Sequence, residues 1–374
     1  MACPPHAAAL LAVACGFAAC APNPASVEPE RRSRDDNGLW ARRVWLHQAQ
    51  DDAALDALIT TLRARGVTRF YPFLGPPDET GQPAWRDGET LRPVDPTLAA
   101  ATLTRLAERA PDVHLHPWTG GVYGRDIDLN DLPRLTRWID AVMALPHHGV
   151  QINVEPMPEQ AAFLDLLRAW KRRLGDRTLS VAAYPPPTPQ HPFPDVHWSL
   201  PFLREVCLIA DELAVMAYDT ALTEPQAYTA LVAEWTRALG TLPPPEEGGC
   251  LIWIGVPAYE DDVGWHRPDA ETLASGLAGV NRALDERWPA HVRGVAVYAS
   301  WTTDAVEWAT YDTDWRRRAP VDTPLIDAPL TAAAEPPPAA PRRARERPPD
   351  ASARPPAPRR RGAGAPLGPP RAAR

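Results

Sequence analysis

The chain has 374 residues and a formal net charge of −8, long enough for one large domain or two ordinary ones with a full core. The charge is uneven: residues 333–374 hold ten Arg and three acidic residues, about +7, leaving about −15 on the remainder. An acidic body excludes nucleic acid as the main ligand, because that would need a basic face.

Residues 1–20 carry an apolar run, Ala7 to Ala14, that leads to Phe17-Ala-Ala-Cys20. This resembles a secretory signal with a bacterial lipoprotein cleavage box, so a lipid on Cys20 is the expected route to membrane attachment. No Lys or Arg precedes the run, and Phe17 stands where Leu is usual; an uncleaved Ala-rich leader is the other reading. Residues 21–37 are polar and Pro-containing and read as a linker. Beyond about Ala319, the chain becomes Pro, Ala and Arg with few large apolar residues, so 319–374 is expected to be a disordered tail. The expected setting is export to the periplasm or cell surface of a bacterial envelope, as a monomer. Five cysteines are too few for a disulfide framework. Cys207 and Cys250 read as buried small hydrophobes, and no cysteine spacing suggests a metal site.

Between the flanks, short apolar strands alternate with amphipathic helices. The predicted strands are 41–46, 67–73, 113–118, 150–155, 179–184, 213–218, 251–256 and 294–298. Helical patterns fall at 51–65, 97–109, 132–145, 158–174, 200–210, 225–239, 268–287 and 303–310. In the fourth of these, Phe163, Leu164, Leu167, Trp170 and Leu174 keep helical spacing. Eight strand–helix pairs over roughly 280 residues are the count and size of an α/β (β/α)8 TIM barrel, here a single domain over 38–318. An open doubly wound sheet would carry a Gly-rich phosphate loop after its first strand, and Leu46-His-Gln-Ala-Gln50 has none.

Barrel enzymes place their chemistry on the carboxyl ends of the strands. Those ends read His47 and Gln48, Tyr71 and Phe73, His116 and Trp118, Asn153 and Glu155, Tyr184, Tyr218 and Asp219, Tyr259 and Glu260, and Tyr298 and Trp301. This is a ring of aromatics around a few acids and amides. Flat apolar faces edged by hydrogen-bonding groups suit sugar rings, although any one aromatic there can equally be a core filler. The fourth strand sends Gln151, Asn153 and Glu155 to one face and ends in a carboxylate.

Gly149-Val-Gln-Ile-Asn-Val-Glu155 resembles the fourth-strand signature of glycoside hydrolase family 18, the chitinase-like barrels, which usually reads Asp-Gly-x-Asp-x-Asp-x-Glu. Met216-Ala-Tyr-Asp219 is similar to that family's sixth-strand Met-x-Tyr-Asp, and Gly255-Val-Pro-Ala-Tyr259 to its seventh-strand Gly-x-Pro-x-Tyr. Gly294 to Ser300 resembles the eighth strand, with Tyr298 where Trp is common. The resemblance spans roughly Gly38 to Trp315, and His148, Gln151 and Asn153 stand where the family has Asp. It implies that Glu155 protonates the leaving glycosidic oxygen while the substrate's own acetamido group attacks the anomeric carbon. Asn153, Tyr218 and Asp219 would then position that group. Gln151, Tyr184, Trp118, Tyr259, Tyr298 and Trp301 would line the sugar site. With the neighbouring acids lost, burial must keep Glu155 protonated.

The expected function is hydrolysis of a β-linked N-acetylhexosamine-containing polysaccharide or oligosaccharide, with no metal or cofactor implied. Two other readings stand beside it. One is a non-catalytic glycan-binding barrel. The other is a two-carboxylate retaining glycosidase with Glu260 as nucleophile, suggested by Asn153-Val-Glu155-Pro156.

Overall fold

The structure, a computed structural model, describes residues 33–318 apart from Glu89. The expectations for residues 1–20, including a lipid on Cys20, for most of the linker and for the tail lie outside the described residues.

Eight parallel strands close into a barrel. They are β1 (Asn37–Ala41), β2 (Val67–Gly75), β3 (Trp118–Val122), β4 (Gly149–Glu155), β5 (Thr178–Ala183), β6 (Glu212–Met216), β7 (Leu251–Pro257) and β8 (Val292–Tyr298). Each strand pairs with the next, and β8 pairs back to β1 through Gly38↔Ala296 and Leu39↔Val297. The helices are α1 (Asp52–Ala64), α2 (Pro96–Arg109), α3 (Leu132–Met143), α4 (Ala161–Leu174), α5 (Leu200–Cys207), α6 (Pro225–Leu239), α7 (Leu273–Glu286) and α8 (Ala305–Tyr311). Their starts are chemically marked. Asp95 accepts from the Thr97 N–H at 2.8 Å with Pro96 in the first turn of α2, and Thr272 and Ser275 form a capping box on α7.

The first and third strands differ most from the sequence reading. The first strand was expected at 41–46 but runs Asn37–Ala41, and Val44–His47 forms one helical turn with only Leu46 buried. Asn37 is fully buried, and its Oδ1 accepts from Val295 N at 3.2 Å and Trp315 Nε1 at 2.8 Å. Arg34, expected in the linker, donates to Asn281 Oδ1 at 2.7 Å and lies 4.2 Å over the Trp315 ring. Arg34 and Asn37 are therefore packed onto the barrel. The third strand is interrupted: His114–Leu115 pairs with β2, then Pro117, which has no N–H, precedes β3. A β-hairpin, Ala84–Asp87 with Thr90–Pro93, follows β2 and had no sequence counterpart in the reading above.

One apolar layer fills the space between the sheet and the helices, and all five predicted positions on α4 belong to it. Inside the barrel, Trp40, Tyr71 and Trp253 pack with Ala214 and Ala296, large rings against small side chains. Below them, at the amino ends of the strands, Arg69 Nε meets Glu212 Oε1 at 2.9 Å. Burial pushes the Glu212 carboxyl up to about 7 in spite of Arg69.

Cys207, at the end of α5, is bonded to Cys250, just before β7. The expectation of two isolated buried thiols is thus corrected: the two residues are 43 positions apart in sequence but adjacent in space. Among the described residues no helix is long and apolar enough to cross a membrane.

Candidate active site

The backbone of β4 is set by its neighbour β3. Gly120 (φ 148°) and Gly121 (φ 143°) occupy conformations that disfavour side chains, and a Cβ on Gly120 would stand 1.6 Å from the Asn153 carbonyl oxygen. This close approach holds the strand that carries Asn153 and Glu155. Thr119, just before the pair, donates to Gly75 O at 2.7 Å and so ties β3 to β2.

The polar face of β4 divides along its length. Gln151 was expected to meet substrate, but it is fully buried inside the barrel. Trp40 Nε1 donates to Gln151 Oε1 at 2.5 Å, and the Gln151 amide faces Ser180 Oγ at 3.5 Å. Its hydrogen-bonding capacity is used internally, so Gln151 is a core residue rather than a substrate ligand. Tyr71 and His116, also among the strand-end residues, are likewise fully buried.

Asn153 and Glu155 lie further up, toward the mouth. Glu155 is half-buried, and its carboxyl is pushed up to about 7, first by burial and then by the charge of Asp219; the Asn153 side chain opposes this by hydrogen bonding. Asn153 Oδ1 is itself buried with no hydrogen-bond partner. Burial, with Asp219 beside it, therefore supplies the upward shift. A raised carboxyl alone does not mark the site, since Glu212 is raised as far at the opposite end of the barrel, where Arg69 pairs with it.

The aromatic residues form one connected set with Tyr298 at its centre. Its ring lies 5.3 Å from Tyr218 (stacked), 5.4 Å from Trp301, 5.7 Å from Trp40 and Tyr259, and 6.3 Å from Trp118. The charges of Glu155 and Asp219 both raise the Tyr298, Tyr218 and Tyr184 hydroxyls, after burial. Tyr184 packs edge-on against Trp198. Glu155, Asn153, Tyr184, Tyr218, Asp219, Tyr259 and Tyr298 are thus brought together, with Trp118 and Trp301 reached through Tyr298. Glu260, the nucleophile of the two-carboxylate alternative, is exposed and its charge acts on Glu307.

Asp219 follows β6 with φ 62°. Its carboxylate accepts from the Tyr259 hydroxyl and lies 3.3 Å from His266 Nδ1. His266 and Glu271, on the segment between β7 and α7, were not anticipated. Nothing periodic marks them, and a lone His and Glu after the Gly-x-Pro-x-Tyr segment were the only available signal. Asp219, His266 and Glu271 bring three ligand-type atoms within 4.8 Å of one another, the spacing at which a cation could be held.

No model of a known protein family matches the chain, and none of the curated proteins does. Among solved structures it is similar to the spore cortex-lytic enzyme SleL of Bacillus megaterium, with 12% identity and a TM-score of 0.50 over 78% of this chain and 76% of that one. The Bacillus cereus spore cortex-lytic enzyme SleL gives 11% identity and a TM-score of 0.49, covering 78% and 76%. A chitinase from Chromobacterium violaceum gives 14% and 0.47, covering 75% of this chain and 99% of that one. At such identities the likeness concerns the fold alone.

Proposed function

We propose that the chain is a glycoside hydrolase that cleaves a β-linked N-acetylhexosamine-containing glycan with help from the substrate's own acetamido group. The observation that carries this reading is Glu155: a carboxyl raised to about 7 at a barrel mouth walled by aromatic rings. An acid in that range can be protonated before the reaction and ionised after it near neutral pH, as a residue acting first as acid and then as base requires.

Protonated Glu155 delivers its proton to the glycosidic oxygen as the bond to the anomeric carbon breaks. The acetamido carbonyl oxygen attacks that carbon, and the ionised Glu155 then takes a proton from the water that opens the cyclic intermediate. Asn153, Tyr218 and Asp219 orient the acetamido group, with Asp219 as the nearby negative charge for the cationic intermediate. Trp118, Tyr184, Tyr259, Tyr298 and Trp301 offer ring faces and hydroxyls to the sugars.

The Cys207–Cys250 disulfide supports an exported setting, since such bonds persist in oxidising compartments. Attachment through Cys20 belongs to the same proposal.

The reading is tested by incubating the protein with oligomers of N-acetylated and of deacetylated aminosugars. Turnover of the acetylated series alone, lost in Glu155→Gln with sugar affinity kept, supports it. Equal turnover of both series rules out the acetamido route. The second reading, a glycan-binding barrel without catalysis, is favoured by the absence of a carboxylate at Asn153 and takes over if the wild type binds acetylated oligomers without cleaving them.

A further inference from the structure

We propose that His266 and Glu271 are positioning residues that hold Asp219 at the barrel mouth. This rests on the reading of Asp219 as a site residue given above.

Asp219 and Ala221 both have left-handed backbones, φ 62° and 57°, an arrangement that surrounding contacts must maintain. Between them, the Thr220 N–H donates to both carboxylate oxygens of Glu271, at 3.1 and 2.9 Å. Glu271 is fully buried, so this grip on the backbone is shielded from water. Ala221 N donates to Trp265 O at 2.9 Å, a second tie between the segments after β6 and β7.

His266, also fully buried, completes the arrangement. Its Nε2 lies 3.2 Å from Tyr259 O, a carbonyl that can only accept, so Nε2 carries a hydrogen and the ring orientation is fixed. Nδ1 lies 3.3 Å from Asp219 Oδ1 and 3.7 Å from Glu271 Oε2 and makes no hydrogen bond to either. The Tyr259 ring stacks on the imidazole with centroids 4.0 Å apart, while its hydroxyl donates to Asp219. Glu271 thus fixes the backbone beside Asp219, and Tyr259, stacked on the His266 ring, fixes its carboxylate. Neither His266 nor Glu271 is exposed to the mouth, so they act through Asp219. Misplacing a group that orients a reacting atom by about 1 Å can cost roughly 100-fold in rate.

The test is His266→Ala, crystallised without ligand and assayed on an N-acetylated aminosugar oligomer. The expected structure has the Asp219 carboxylate turned away from Tyr259 or residues 219–221 in two conformers. The expected kinetics are a fall in kcat of roughly 100-fold with KM little changed. An unmoved Asp219, or a raised KM with kcat intact, overturns the proposal. If the wild type shows no turnover, the hydrolase reading fails while the crystal structure still decides the positioning role. If His266→Ala does not fold, the isosteric Glu271→Gln is used with the same structural readout. Crystals grown with zinc chloride supply the last arm: a zinc ion ligated by Asp219, His266 and Glu271 overturns positioning in favour of metal binding.

Discussion

Trp40 donates its indole N–H to Gln151 Oε1 at 2.5 Å across the barrel interior, so the polar face of β4 serves two purposes. Its lower part is structural, and its upper part, Asn153 and Glu155, reaches the mouth.

Replacing Gln151 with Leu should therefore act on stability rather than on sugar binding. The substitution leaves the Trp40 N–H buried without an acceptor, a loss of about 1–3 kcal/mol. Urea unfolding measures it, and oligosaccharide affinity should be unchanged. An affinity loss with stability intact would return Gln151 to the substrate site.

The raised Glu155 carboxyl sets the direction of two pH effects. As the acid, it must be protonated, so hydrolysis should fall as pH rises through about 7. For stability, the folded value lies above the usual 4.5, so the folded state binds the proton more tightly. That contribution is complete below 4.5 and is lost as pH rises through about 7, and Glu212, raised to about 7, adds in the same sense. The protein should be less stable at pH 8 than at pH 5. Glu155→Gln should recover up to about 3 kcal/mol of the difference, measured by chemical denaturation at both values.

Tyr298 touches five other rings, so its substitutions should separate packing from hydrogen bonding. Tyr298→Ala should destabilise by about 3–5 kcal/mol and weaken oligosaccharide binding. Tyr298→Phe keeps every ring contact and should retain stability within about 1 kcal/mol. Calorimetry of both variants with a sugar ligand distinguishes a platform from a filler: a platform loses affinity in Ala and keeps it in Phe.

Much of this was legible in the sequence because barrel strands and helices announce themselves by period. The run 225–239 was read with the bounds of α6, and the five apolar positions read on α4 are all buried, together with Leu166. Asn37–Ala41 was displaced because the apolar Val44-Trp45-Leu46 was the stronger local signal, while the Asn37 Oδ1 finds its donors more than 250 positions away. Glu155 could be found because it ends β4, and Tyr218 and Asp219 because they directly follow β6. His266 and Glu271 could not, since their partners are assembled by the fold between two loops. The same holds for the Cys207–Cys250 bond.

Removing that bond should be costly. Cys207 and Cys250 are 43 residues apart, and a closure of that size restricts the unfolded chain by about 4 kcal/mol in the entropy model. Cys207→Ser should lower stability by about 2–4 kcal/mol, and a thermal scan with and without reductant should show the same loss in the wild type.

Gly120→Ala should be far more damaging than its size suggests. The added methyl carbon would meet the Asn153 carbonyl oxygen at 1.6 Å, so β3 and β4 would have to separate. Soluble yield and circular dichroism should both collapse. A folded, active variant would mean that β4 does not depend on that contact.

The packing of Arg34 against Asn281 and Trp315, together with the Arg318–Asp285 pair at the end of α7, gives the barrel a front and a back. Both limits of the described chain, Ser33 and Arg318, lie at the amino ends of the strands, and Glu155 lies at the carboxyl ends. A tether, a bead or a fusion partner joined at either limit would grip the amino-end face and leave the rim that carries Glu155 facing outward.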